Sequence, residues 1–371
     1  MRVLHFYKTS FPDTMGGVEQ VINQIARGAN KLGVNTDVLS LTSARVPRTI
    51  EIDGYLAHRA KLDVQIASTG FSISAFLRFA QLAKQADVVH YHFPWPFMDL
   101  MHFATMVKKP TVVTYHSDII RQKHLLRIYR PLQWKFLGDV SRIVATSPNY
   151  LATSDVLVKY KHKVSVIPIG LDKTTYPVPT LEKLAYWRDR LGPKFFLFVG
   201  VIRYYKGLHI LMEAAQGTDF PIVIVGVGPI EKELKAQAAQ LKLRNIYFLG
   251  HLPDEDKVAL LTLCYGVLFP SHLRSEAFGI SLLEGAMYGK PMISSEIGTG
   301  TTFINIADET GLVVSPSDPA ALRQAMQYLW DHPVQAAEMG RRAEERYWRH
   351  FTADQMVRSY VDLYGDLVNY R

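Results

Sequence analysis

Short β-branched and aromatic runs alternate with helical patterns from one end of the 371 residues to the other. In the first half the runs are Arg2–Tyr7, Thr36–Leu41, Val88–Tyr91, Thr111–Tyr115, Arg142–Ala145 and Val164–Ile167. In the second they are Phe195–Val199, Ile222–Val225, Ile246–Leu249, Val267–Phe269, Met292–Ser294 and Gly311–Val313. Between them lie segments such as Val18–Leu32, where Val18, Val21, Ile22, Ile25, Ala26 and Ala29 recur at helical spacing. Strands apolar on both faces need helices on both faces, so an α/β class with two doubly wound parallel sheets is predicted. The expected domains are 1–170, completed by a C-terminal helix 352–371, and 193–351, with a linker 171–192 containing Pro177 and Pro179. Ligands of such sheets bind beyond the carboxyl ends of the strands. The chemistry is therefore expected in loops after strands, with the two domains facing across a cleft.

Composition narrows the class. One cysteine, Cys264, permits no internal disulfide and no thiolate cluster, which suits a reducing compartment such as the cytosol. No run reaches the 18 or so apolar residues of a spanning helix, and the N-terminus meets Pro12 too early for a signal peptide. Residues 1–192 carry 25 Lys/Arg against 14 Asp/Glu, whereas 193–371 carry 17 against 20. The basic surplus thus belongs to the first half, as expected of a surface that meets phosphates or anionic lipid headgroups.

The densest motif is Ser275-Glu276-Ala277-Phe278-Gly279-Ile280-Ser281-Leu282-Leu283-Glu284-Gly285-Ala286, after the run Val267–Phe269. A loop turning into a helix here would leave the amides of Phe278, Gly279 and Ile280 free for a phosphate. Glu276 and Glu284 are eight residues apart, roughly 12 Å at helical rise. That is too far for two carboxylates flanking one glycosidic bond, which stand about 5 to 9.5 Å apart. Arg203 and Lys206 follow the run ending at Gly200 and are placed to neutralise a diphosphate. Gly16 and Gly17 open a helix after the first run and permit close approach of an anionic ligand. No nicotinamide fingerprint or P-loop is present. His90 and His92 share a strand face but lack ligand-spaced acids or cysteines, so no metal is expected; His116 ends a strand as a hydrogen-bonding residue. The stretch Arg121–Arg130, followed by Lys135, interleaves basic and apolar residues like a helix that touches anionic headgroups or a polyanionic acceptor.

Together these residues resemble the retaining, two-domain GT-B glycosyltransferases of family 4 over essentially the whole chain. Glu276 and Glu284 match the family's E-x7-E signature, and Val166-Ile167-Pro168-Ile169-Gly170-Leu171-Asp172 resembles its interdomain segment, with Ile169 in place of the usual Asn. The resemblance implies that Arg203, Lys206 and the amides of Phe278, Gly279 and Ile280 hold the donor diphosphate. It implies that Glu284 binds the ribose and Glu276 the transferred sugar, while His116 meets the sugar at the reaction centre. Gly16 and Gly17 would line the phosphates and acceptor; Leu252, Asp254 and Lys257 would lie by the base. The stretches His92-Phe93-Pro94-Trp95, Tyr115-His116-Ser117-Asp118 and Ser271-His272-Leu273-Arg274 are similar to bacterial O-polysaccharide mannosyltransferases. These imply GDP-mannose as donor, a lipid-diphosphate-linked glycan as acceptor, and work at the cytoplasmic face of the inner membrane as a peripheral protein.

The implied reaction retains anomeric configuration without metal or cofactor, since two cations and a helix N-terminus can meet the leaving-group charge. Other donors, GDP-rhamnose or a UDP-sugar, stay open. So do a nucleotide-sugar epimerase or phosphorylase, which share the two-domain plan, and a nucleic-acid-binding protein, though aromatic-interleaved basic motifs for nucleic acid are lacking.

Overall fold

Among the described residues ten strands precede residue 171: β1 (Arg2–Phe6), β2 (Asn35–Thr42), β3 (Thr49–Ile52), β4 (Tyr55–Lys61), β5 (Val64–Ile66), β6 (Thr69–Phe71), β7 (Val88–Phe93), β8 (Thr111–Tyr115), β9 (Arg142–Ala145) and β10 (Val164–Val166). Six follow: β11 (Phe196–Val199), β12 (Ile222–Val225), β13 (Ile246–Gly250), β14 (Gly266–Phe269), β15 (Met292–Ser295) and β16 (Gly311–Val314). They come from a computed structural model that describes residues 1–44, 47–66, 69–119 and 123–369. The chain divides into two compact units, Met1–Gly170 with Ala353–Arg371, and Leu171–Thr352.

The first unit carries an eight-stranded sheet in the order β10-β9-β8-β7-β1-β2-β4-β3, with helices following β1, β6, β7, β8 and β9. The helix Gly17–Lys31 buries Val21, Ile22, Ile25, Ala26 and Ala29, the stripe expected from its periodicity. The helix Ala353–Asn369 lies on it where Gly28 has no side chain: a Cβ there would stand 2.5 Å from Val357. Residues 370 and 371 of the expected C-terminal helix lie outside the described residues, as do Arg121 and Gln122 of the basic stretch.

This sheet is not wholly parallel. β3 and β4 form an antiparallel edge hairpin that the strand reading passed over. Its turn is Asp53-Gly54, with φ of 46° and 91°, the left-handed pair that Asp-Gly supplies to a two-residue hairpin. β3 hid because it is an edge strand with alternating exposed and half-buried residues. The segment expected as a linker also has structure. It contains the helix Leu181–Leu191, whose Trp187 indole donates to Asp256 at 2.8 Å while Lys183 pairs with the same carboxylate at 3.0 Å.

In the second unit all neighbouring strands are parallel and the order is β13-β12-β11-β14-β15-β16. Counted from its own first strand this is 3-2-1-4-5-6, so the winding reverses between β11 and β14, the point where such sheets open a crevice. Phe196, Phe198, Ile222, Ile224, Leu268 and Ile293 fill the core beneath that point.

Candidate active site

Two loops leave the switch point of the second unit, one from β11 and one from β14. The first runs through Gly200 and Arg203 into a tight turn, Tyr204–Lys206, and ends at Gly207 with φ of 73°. A Cβ on Gly207 would stand 1.9 Å from the Pro270 carbonyl oxygen, so only glycine lets the two loops touch. Gly226 and Gly228 after β12 make the same close approach to the carbonyls of Gly200 and Ile202, at 2.0 Å each. That packing accounts for the Gly-Val-Gly segment without any ligand.

The two cations of the first loop differ. Arg203 is exposed and has no partner among the described residues. Lys206 is buried, donates to the Glu276 carboxylate, and lies 4.8 Å from the centre of the Phe269 ring. Ser271 Oγ donates to the same Glu276 oxygen at 3.4 Å. His272 clamps this loop from the other side. Its amide bonds the Tyr205 carbonyl at 3.0 Å and its Nε2 lies 3.1 Å from the Tyr204 carbonyl. A carbonyl only accepts, so Nε2 carries the hydrogen and Nδ1 accepts from Ser317 Oγ at 3.0 Å. Burial lowers the His272 pKa against the opposing Tyr204 bond, consistent with this neutral tautomer.

Glu276 and Glu284 do not share a helix. Glu276 lies in the loop and Glu284 within the helix Ile280–Met287, so helical rise does not measure their separation. Between them Gly279 takes φ of 105°, and no hydrogen bond from the amides of Phe278, Gly279 or Ile280 is made among the described residues. Gly300 packs under this turn, where a Cβ would meet the Phe278 ring at 2.6 Å. Three unspent donors at a helix N-terminus form an anion-binding concavity.

Glu284 is buried, and its Oε1 accepts from Tyr176 Oη at 3.0 Å and Lys257 Nζ at 3.3 Å. Its Oε2 has no partner among the described residues. Lys257 also pairs with Asp254 at 3.0 Å. Burial pulls the Lys257 ammonium down, but Glu284 and Asp254 together outweigh it and raise its pKa. Thus Asp254 and Lys257, expected by the base, are linked to the carboxylate expected at the ribose, and Leu252 is half-buried in the same loop after β13. Tyr176 and His272 were missed as site residues. Tyr176 lay in a segment read as linker, and no spacing ties it to Glu284.

In the first unit Gly16 caps the helix Gly17–Lys31, and the Glu19 carboxylate folds back over it. Glu19 Oε1 accepts from Thr9 at 2.6 Å and Thr14 at 3.2 Å, so an acid of the same helix occupies the ground expected for an anion. His116 follows β8 and is 7% exposed. Its Nε2 lies 3.0 Å from His92 Nδ1, and His92 Nε2 lies 3.0 Å from His5 Nδ1. His90 stacks on His92, with its own nitrogens on Tyr364 Oη at 2.6 Å and Thr114 Oγ1 at 2.7 Å. The nitrogens of His5, His90 and His92 fall within 4.8 Å of one another, a spacing open to a metal. Those of His90 and His92 are all spent on hydrogen bonds, which does not fit metal ligation. Burial lowers the pKa of all four imidazoles, to about 3 for His5 and His116.

The helix Lys123–Asp139 presents Arg127, Ile128, Arg130, Trp134 and Lys135 to solvent, with Lys159 4.0 Å from the Trp134 ring. Among the described residues no helix is long and apolar enough to cross a membrane.

Residues 15–175 match the family model described as Glycosyltransferase Family 4, and residues 184–346 that described as Glycosyl transferases group 1. The D-rhamnosyltransferase WbpZ of Pseudomonas aeruginosa is 65% identical over 353 residues, covering 95% of this chain and 93% of its own. The O-antigen chain mannosyltransferase C of Escherichia coli is 48% identical over 368 residues, 99% of both chains. Among solved structures, the sucrose-phosphate synthase of Thermosynechococcus elongatus aligns over all of both chains with a TM-score of 0.84 at 19% identity, a likeness of fold.

Proposed function

The chain belongs to the family 4 glycosyltransferases, with the GT-B class of fold, and from that premise we propose that it transfers a manno-configured hexose from its GDP-linked donor to a lipid-linked glycan of O-antigen synthesis. The sequence reading put mannose first. The relative at 65% identity is a D-rhamnosyltransferase and the one at 48% a mannosyltransferase, which favours D-rhamnose, the 6-deoxy form of the same sugar, with mannose second.

The observation that carries the reading is the cluster at the β11–β14 switch point, where, among the described residues, the amides of 278–280, the Arg203 side chain and Glu284 Oε2 have no partner. The amides, Arg203 and Lys206 would hold the diphosphate, Glu284 Oε2 would accept from the ribose hydroxyls, and Leu252, Asp254 and Lys257 would border the base. Glu276 would bind hydroxyls of the transferred sugar, and His116 would meet that sugar.

The step follows from these parts. The acceptor hydroxyl oxygen bonds to the anomeric carbon on the face the diphosphate leaves. The carbon–oxygen bond to phosphate breaks with its electron pair on the phosphate oxygen, which takes the hydroxyl proton. The charge that develops there is met by Arg203, Lys206 and the amides, of which Lys206 and the amides are held in place beforehand, so no metal ion is required. The exposed basic and aromatic face of the helix Lys123–Asp139 would dock on anionic headgroups at the cytoplasmic surface.

A thermal-shift series with GDP, UDP and ADP tests the base. A ligand at 100 times its dissociation constant stabilises by about 2.7 kcal/mol, expected for GDP alone. Incubation of GDP-mannose and GDP-D-rhamnose with a lipid-linked acceptor, read by mass spectrometry and anomeric NMR, then identifies the sugar. Free sugar without glycoside, or an inverted linkage, overturns the reading.

A further inference from the structure

His5, His92 and His116 form a buried line of imidazoles whose hydrogen positions are mutually constrained. His116 Nε2 meets His92 Nδ1 and His92 Nε2 meets His5 Nδ1, each at 3.0 Å. Among the described residues the far end, His5 Nε2, is enclosed without a partner and His116 Nδ1 makes no hydrogen bond, while His116 keeps 7% of its surface exposed where His5 keeps none. Stacking holds the rings in place: His5 on His92 and His92 on His116 have centroids 5.3 Å apart in both pairs. His90, fixed by Thr114 and by Tyr364 of the C-terminal helix, backs His92 at 4.3 Å.

A neutral imidazole carries one N–H and one bare nitrogen. Three neutral rings joined by two N–H···N bonds therefore have only two complete arrangements. In one, every ring carries its hydrogen on Nδ1, so His116 presents Nδ1–H outward and His5 Nε2 is a bare nitrogen. In the other, every hydrogen is on Nε2, so His116 presents a bare nitrogen and His5 buries an N–H that has no acceptor. Enclosed N–H groups without acceptors are the rarer kind of orphan in folded proteins, which favours the first arrangement. Burial also holds the rings neutral by lowering their pKa values, so a charged intermediate form does not intervene.

We propose that His92 and His5 are positioning residues that fix His116 as the Nδ1–H tautomer, making it an outward hydrogen-bond donor and not a proton acceptor. The consequence for catalysis rests on the reading above that His116 meets the sugar. There it would donate to a sugar or phosphate oxygen, and the acceptor proton must leave by another route, which agrees with its passage to the departing phosphate.

Long-range proton–nitrogen NMR on histidine-labelled full-length protein reads the tautomer directly. His116 should show a protonated Nδ1 and a bare Nε2, with scalar coupling across the His92–His116 hydrogen bond. A protonated Nε2 on His116 overturns the proposal. For activity, His92→Phe should lower kcat about tenfold to a hundredfold while donor KM stays within about threefold, as expected when a supporting hydrogen bond to a reacting group is lost. His92→Gln, whose amide can donate to His116 Nε2, should recover kcat to within about threefold. An unchanged kcat in His92→Phe, or equal losses in the Phe and Gln variants, overturns the positioning role. His116→Ala separates the two readings: full activity there rejects the sugar contact, while the tautomer measured in the unaltered protein still judges the array.

Discussion

Tyr176 donates its hydroxyl to Oε1 of Glu284 at 3.0 Å, and Lys257 reaches the same oxygen at 3.3 Å. Two donors on one oxygen fix the plane of a buried carboxylate and leave Oε2 for a ligand. Lys206, Ser271 and Glu276 repeat the design beside it, with two donors on a single oxygen of Glu276. Both acids are thus oriented in advance, which would reduce the ordering cost of binding a ligand there.

Replacing Glu284 by Gln should weaken GDP binding about tenfold to a hundredfold, because hydrogen bonds to a charged group contribute about 1.5–3 kcal/mol. Tyr176→Phe leaves Oε2 in place but frees the carboxylate to rotate, so a loss of about threefold to tenfold is expected. Calorimetric titration with GDP measures both. Equal affinity in Glu284→Gln would remove the ribose contact from the mechanism.

Lys206→Met leaves the Glu276 carboxylate buried without its cation, and breaking a buried pair in this way costs about 3–5 kcal/mol. The double variant Lys206→Met with Glu276→Gln should regain most of that stability and none of the activity. Urea unfolding alongside a transfer assay separates the two effects. Recovery of turnover in the double variant would show that the cation does not serve the diphosphate.

In the proposed step Arg203, Lys206 and the 278–280 amides would meet the leaving-group charge, so saturating EDTA should leave turnover unchanged. A loss restored by a divalent ion would require a metal in the step.

The second unit was more legible in sequence than the first. Its central strands are short, almost fully buried runs set off by glycine and proline, so Ile222–Val225 and Phe196–Val199 could hardly be anything else. β3 was missed because an edge strand buries little, though Asp53-Gly54 announced its turn. At the site, residues with local motifs were legible, among them Glu276, Glu284, Arg203 and Lys206. Residues whose role depends on distant pairing were not. Tyr176 meets Glu284 across 108 positions, and His5 meets His92 across 87. A pattern read along the chain cannot register such pairs, because nothing in the neighbourhood of Tyr176 or His5 points to its distant partner.

Gly279→Ala tests the amide turn. Its φ of 105° strains any side chain, and a Cβ would stand 3.1 Å from the Phe269 ring that covers Lys206. A stability loss of about 1–3 kcal/mol is expected, with weaker GDP binding. Gly33→Ala is the control, since φ there is 80° but nothing lies within 4 Å of the Cβ. It should cost about 1 kcal/mol and leave GDP binding intact. Identical GDP affinity in the two variants would detach the turn from the diphosphate.

The buried histidines make the protein acid-sensitive in a predictable direction. Burial lowers the pKa of His5 and His116 to about 3 and those of His90 and His92 well below the ordinary value. An unfolded chain protonates these groups near pH 6.5. Below that pH the unfolded state binds up to four more protons than the folded one, so stability falls as pH falls and is fully present only above about 6.5. Asp99 acts the other way: burial raises its pKa well above the ordinary value against the Tyr129 bond, so the folded state keeps a proton that the unfolded chain has lost. Among these five groups the balance is about three protons, or up to about 4 kcal/mol per pH unit in the window below pH 6, and the lowered pKa values of His102, His209, His272 and His350 add to it in the same direction. Urea midpoints at pH 7.5, 6.5 and 5.5 should be level across the first interval and fall across the second. His90→Gln removes one titrating group and should flatten the fall by up to about 1.4 kcal/mol per pH unit. A midpoint independent of pH down to 5.5 would mean that the imidazoles exchange protons with solvent in the folded state.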